Sequence, residues 1–169
     1  MSKVKQLCLC ALFTAFICIC SVVCVPVFAV PITLSVFAIT LCALVLELKY
    51  ALISVLGFIA LGCVGLPVFS SFTGGVGVLF SYTGGFIYSY VFMVIIISLF
   101  AKSEMLTLKI LGCTLALIVC YICGVTHYSI VANVPFFTAL SLVLGFVVFD
   151  VIKISLALLI SQRIKSILK

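Results

Sequence analysis

Long apolar runs, separated by short polar or glycine-rich stretches, repeat along nearly the whole chain. They cover about residues 4–25, 34–48, 51–65, 86–101, 106–126 and 136–162. The longer runs reach the roughly 18–20 residues that a helix needs to cross a bilayer. Strict alternation of polar and apolar residues, the mark of a transmembrane barrel, is missing. The pattern predicts an all-α integral membrane protein in which residues 1–169 form a single domain of six transmembrane helices. Lys3 and Lys5 before the first run mimic a secretory signal, but the run continues to about Val25 with no small-residue cleavage pattern, so it reads as a retained helix. Pro26 and Pro31 bracket the first loop, and the last run reads as one unbroken helix.

Composition excludes a soluble domain. With 67% hydrophobic and 7% charged residues, the polar side chains do not suffice to cover a globule. The few charges then orient the helices. Six spans place Lys3, Lys5, Lys49, Lys102, Lys109, Arg163, Lys165 and Lys169 on the side of both termini, and leave the opposite loops without Lys or Arg. Cytoplasmic loops carry this excess, so both termini are expected in the cytoplasm, with the protein multi-pass in a bacterial cytoplasmic membrane. The net charge of +6 is accounted for by this topology and calls for no nucleic-acid partner.

Two charges do not fit at a helix end. Asp150 and Lys153 lie in a stretch that is otherwise apolar from Phe136 to Ile160. An ionisable side chain at the centre of a membrane helix costs about 2.5–3.5 kcal/mol, so it marks a functional site by default. Residues three apart share a helix face. Lys153 precedes Arg163 by roughly 15 Å of helix, near the bilayer midplane, where transporter substrate sites lie. The competing reading is an ion pair that only fixes helix packing.

The long stretch between residues 65 and 85 resists a helical reading. It is rich in Gly, Ser and aromatics and carries Thr-Gly-Gly at both Thr73 and Thr83. Irregular backbone at membrane depth persists where it is buried or lines a cavity. The stretch is therefore expected to fold over a cavity, its glycines allowing close approach to a ligand. The ten cysteines fall within predicted helices and read as small apolar packing residues, Cys120 and Cys123 included. His127 reads as a polar residue closing the fifth helix. No phosphate loop, His-Glu-x-x-His motif or paired carboxylates occur, and no resident cofactor or metal is implied. These absences suit a small binding subunit energised by partners.

The order of short motifs adds to this reading. It comprises Ala11 and Ala15 at i and i+4, Pro31-Ile32-Thr33-Leu34, Gly65-Leu66-Pro67-Val68-Phe69, Thr83-Gly84-Gly85, and Asp150 with Lys153. Over nearly its whole length the chain resembles the biotin-specific substrate-binding (S) subunits of energy-coupling factor transporters, the BioY family. The resemblance implies a six-helix protein that captures biotin at the outer face, with a transmembrane coupling protein and two cytoplasmic ATPases as partners and no catalysis of its own. It implies a biotin site at Asp150, Lys153, Thr83, Gly84 and Gly85, and a coupling-protein contact at Ala11 and Ala15. Phe72, Tyr82 and Tyr88 offer aromatic surface for the bicyclic ring and tail. The chain departs from the family pattern at Ser81, Tyr82, Phe86 and Phe149, which keeps dethiobiotin and lipoate open as ligands. A membrane enzyme using Asp150 and His127, or a purely structural subunit, are the readings from other classes.

Overall fold

The computed structural model describes residues 3–25 and 30–168; Pro26 and Lys169, both used above, lie outside them. Seven α-helices occur among the described residues: α1 (Lys3–Val22), α2 (Ser35–Val45), α3 (Leu48–Cys63), α4 (Gly84–Phe100), α5 (Leu106–Ala132), α6 (Phe136–Leu144) and α7 (Val147–Leu168). Helix α2 is the centre. It packs on α1, α3, α4 and α7, and every residue in it except Phe37 is buried. A helix apolar all round belongs in an interior. Its 11 residues span roughly 16 Å, about half the hydrocarbon thickness. Residues 30–33, just before it, and Val36 in its first turn line the cavity described below.

Hydroxyls and one thiol tie α1 to α3. Ser54 Oγ donates to the Cys10 carbonyl at 3.1 Å, and Thr14 Oγ1 donates to the Ser54 carbonyl at 3.2 Å. Small polar residues of this kind hold apolar helices together where no hydrophobic driving force separates helix from lipid. The outer surface is the reverse of a soluble protein's: Phe92, Ile118, Val151 and Leu159 are each half exposed or more, or nearly so.

Three local expectations are corrected. The end of the first run is not helical: β1 (Cys24–Val25) pairs antiparallel with β2 (Ile32–Thr33), so the first connection is a small hairpin. Helix α5 does not close at His127 but continues to Ala132, where Asn133 takes the left-handed conformation that ends it. Gly112 and Gly124 are accommodated within the helix, and no proline lies in it to stop it before Asn133. The last run is not one helix: α6 and α7 meet at 54°. Gly145 is a weak helix former, and the Phe146 amide bonds the Val143 carbonyl three residues back, which tightens the chain there.

Helices α1 and α5 are long and apolar enough to cross a membrane, and the bent pair α6–α7 is a third if taken as one span. Helices α2, α3 and α4 are shorter apolar helices.

Candidate ligand-binding site

The bend at Gly145–Phe146 sets the start of α7, and the Asp150 amide makes the first regular bond of its first turn, to the Phe146 carbonyl. Asp150 and Lys153 thereby turn inward and are 7% and 9% exposed. Lys153 Nζ lies 2.7 Å from Asp150 Oδ1 and also donates to the Thr33 carbonyl at 2.8 Å. The Tyr121 hydroxyl donates to Asp150 Oδ2 at 2.6 Å. Four polar groups from α5, α7 and β2 therefore converge on one point. A buried pair survives only when its remaining hydrogen-bonding groups are matched in this way.

These groups form one end of a cavity of about 60 Å³ that opens between α2, α4, α5 and α7. Its apolar wall includes Phe69, Phe86, Tyr90 and Phe146. Residues 30–33 of the first hairpin line it, as do Phe69 and Ser70 of the glycine-rich stretch. Few polar groups set in an apolar wall is the usual make-up of a small-molecule site. A larger apolar groove of about 650 Å³ lies between α5 and α7. It holds no charged side chain able to orient a polar ligand.

The structure sorts the residues singled out from the sequence. Asp150, Lys153 and Thr83 line the cavity. Tyr82, Gly84, Gly85 and Tyr88 do not. Tyr82 is 45% exposed and its ring rests on Tyr128, centroids 5.6 Å apart. The Tyr88 hydroxyl donates to the Leu79 carbonyl at 3.0 Å, and its ring meets the edge of His127. Gly84 and Gly85 are buried at the start of α4. A Cβ on Gly84 would collide with the Leu79 carbonyl, and one on Gly85 with His127 and the Cys123 carbonyl. These glycines let α4 approach the preceding loop and α5. Phe72 is 73% exposed and does not line the cavity.

The glycine-rich stretch covers the cavity only through Phe69, Ser70 and Thr83. Gly74, Gly75 and Gly77 do not line it, contrary to the expected approach to a ligand. Gly75, at φ 95°, donates its amide to the Gly62 carbonyl at 2.7 Å, so it turns the loop back onto the end of α3. His127 Nε2 lies 3.0 Å from the Ser81 carbonyl and holds this loop from α5. Cys120 lines the cavity and accepts from Ser89 Oγ at 3.1 Å; no metal-ligand cluster occurs among the described residues. Ala11 and Ala15 do not line the cavity; they are exposed on α1, as are Leu7, Leu12 and Ile19.

Sequence reasoning missed Tyr121, Thr33 and Tyr90. Tyr121 had a signal, a phenol inside an apolar helix that needs a partner when buried. Thr33 contributes a backbone carbonyl, which no side-chain pattern encodes.

Comparison with known proteins agrees with this architecture. The BioY family model matches residues 1–169. The biotin transporter BioY of Thermotoga maritima is 34% identical over 165 residues, covering 96% of this chain and 97% of that protein. The probable biotin transporter BioY of Pyrococcus horikoshii is 33% identical over 164 residues, covering 96% and 98%. A crystal structure of the S-component for biotin from an ECF-type ABC transporter superposes with a TM-score of 0.92 at 30% identity, covering 98% of this chain and 95% of that one. With its whole length matched by the family model and its fold shared with a solved S-component, the chain belongs to the BioY family.

Proposed function

We propose that this protein captures biotin for uptake across the membrane, as the substrate-specific S component of an ECF-type transporter. It binds and delivers its ligand without chemical conversion. The observation that carries the reading is the hydrogen-bonding capacity left at the buried pair. Each Asp150 oxygen already accepts one bond and keeps a second lone pair. Lys153 has committed two of its three protons, to Asp150 and Thr33. Two acceptors and one donor remain, matching the two N–H groups and single carbonyl of a ureido ring. The pair is neutral as a whole, as that ring is. The apolar wall from Phe69 to Phe146 suits the bicyclic skeleton and tail. Thr83, just before α4, adds a hydroxyl to the lining.

The remaining parts of the reading rest on charge and exposure. Taking α6–α7 as one broken segment leaves six helical segments, the short α2 included; reading them as six spans turns both termini and the terminal and loop Lys and Arg residues to the cytoplasm of a bacterial cell. The exposed Ala11–Ala15 face of α1 supports close docking of a transmembrane coupling protein, since two small residues a turn apart admit another helix. Two cytoplasmic ATPases then supply the energy.

Equilibrium binding of biotin to purified protein in nanodiscs tests the assignment, alongside folded Asp150→Asn and Lys153→Ala variants. Tight binding lost in both supports it; binding retained in both moves the site elsewhere. Dethiobiotin, which keeps the ureido ring, should displace biotin far better than lipoate, which has none. The reverse order would remove the ureido assignment.

A further inference from the structure

Lys153 has one proton left to offer a ureido oxygen that carries two lone pairs. Both ring nitrogens push charge onto that oxygen, which makes it a strong acceptor with room for a further donor. Two hydroxyls in the cavity lining qualify. Ser21, in the last turn of α1, is 4% exposed and lines the cavity. Its hydroxyl makes no hydrogen bond among the described residues. A buried hydroxyl without a partner is costly, and one that lines a cavity finds its partner in what enters.

Tyr90, on α4, is 7% exposed and lines the same cavity. Its hydroxyl ends a short row. Thr33 Oγ1 donates to Ser35 Oγ at 2.9 Å, and the Ser35 hydroxyl faces the Tyr90 oxygen as a donor in turn. With its oxygen served from behind, Tyr90 keeps its own proton for the cavity. The row begins beside the ion pair, because the Thr33 carbonyl is the one that Lys153 holds at 2.8 Å. These donors therefore stand next to a ring seated on Asp150 and Lys153, whereas the carboxylate of the tail lies several bonds further on. A carboxylate placed here would add a third charge beside Asp150, and Lys153 is the one Lys or Arg among the described residues that line the cavity. Neutral donors suit a neutral carbonyl.

We infer, on the ureido reading of Asp150 and Lys153, that Ser21 and Tyr90 donate to the ureido oxygen of the ligand beside Lys153. They thereby make the site select for oxygen at that position. Each hydroxyl removed should cost about three- to tenfold in affinity, the ordinary worth of one neutral hydrogen bond.

Three ligands provide the test: biotin, 2-thiobiotin, whose carbonyl oxygen is replaced by the weaker acceptor sulfur, and biotinol, which lacks the carboxylate. Equilibrium binding of each is measured to the whole protein in nanodiscs, native or carrying Ser21→Ala or Tyr90→Phe. The native chain should prefer biotin to 2-thiobiotin by about tenfold or more. Each variant should lose about three- to tenfold for biotin and biotinol alike and little for 2-thiobiotin, so that the preference for oxygen shrinks. Ser21→Thr, which keeps the hydroxyl, should restore it. If Ser21→Ala fails to fold, the same shrinkage is read from Tyr90→Phe, which removes one oxygen and keeps the ring. A preference for oxygen that survives in full in the folded variants would overturn the inference while leaving biotin binding intact. A loss seen with biotin but not with biotinol would also overturn it, since the hydroxyls would then serve the tail. No biotin binding by folded native protein would remove the ureido reading itself, and this inference with it.

Discussion

The Tyr121 hydroxyl meets Oδ2 of Asp150 at 2.6 Å, while Oδ1 of the same carboxylate holds Lys153. A residue of α5 thus fixes the orientation of an acid on α7, although the two helices diverge elsewhere. Tyr121 also lines both the cavity and the lateral groove, so its ring forms part of the wall between them.

Removing that hydroxyl should weaken ligand binding without unfolding the protein. A hydrogen bond to a charged group contributes about 1.5–3 kcal/mol. In Tyr121→Phe the carboxylate loses its second anchor, and the dissociation constant for biotin should rise by about tenfold or more. Titration calorimetry of the purified variant reads this directly; an unchanged constant would show that Asp150 is positioned by Lys153 alone.

The buried pair separates binding from folding. Removing one partner leaves an uncompensated charge, at a cost of about 3–5 kcal/mol, whereas replacing both with apolar residues of similar size is close to neutral. Lys153→Met alone should therefore lower the thermal midpoint strongly. The double variant Asp150→Leu with Lys153→Met should recover most of it and bind no biotin. If the double variant bound biotin normally, the pair would be only a structural device.

Gly85 offers a test of packing against ligand contact. A Cβ there would press on His127 and the Cys123 carbonyl, and overpacking of this kind costs about 1–3 kcal/mol. Gly85→Ala should lower thermal stability in proportion, and biotin affinity should change little in the fraction that remains folded. A large loss of affinity with unchanged stability would instead put Gly85 against the ligand.

The exposed face of α1 is expected to act only in the assembled transporter. Ala11→Trp and Ala15→Trp replace small residues where another helix must approach closely. Biotin binding by the isolated protein should stay as it is, while co-purification with the coupling protein and uptake into cells should fall together. Normal uptake by both variants would place the contact elsewhere.

Hydrophobic pattern alone set much of this protein's outline. The apolar runs and the near absence of charge already required helices in a membrane, because only helices and closed barrels satisfy every backbone group there and the alternation of a barrel is missing. Asp150 and Lys153 stood out for the same reason, since a charge in an apolar run is costly enough to be noticed. The glycines of residues 74–85 were noticed too, but their meaning depended on neighbours. A glycine signals that something comes close and does not say what. For Gly85 it is His127 and the Cys123 carbonyl, and for Gly75 it is the end of α3. The bend at Gly145 was invisible because a lone glycine costs a helix only about 1 kcal/mol and is accommodated elsewhere in this chain, as at Gly112 and Gly124 of α5. Tertiary structure alone decided that α2 is short and central, with its first turn and the residues just before it lining the cavity. It also brought the Tyr121 hydroxyl and the Thr33 carbonyl to the Asp150–Lys153 pair. Periodicity reports which residues avoid water; which polar groups meet across 29 or 120 residues of chain depends on how the helices pack.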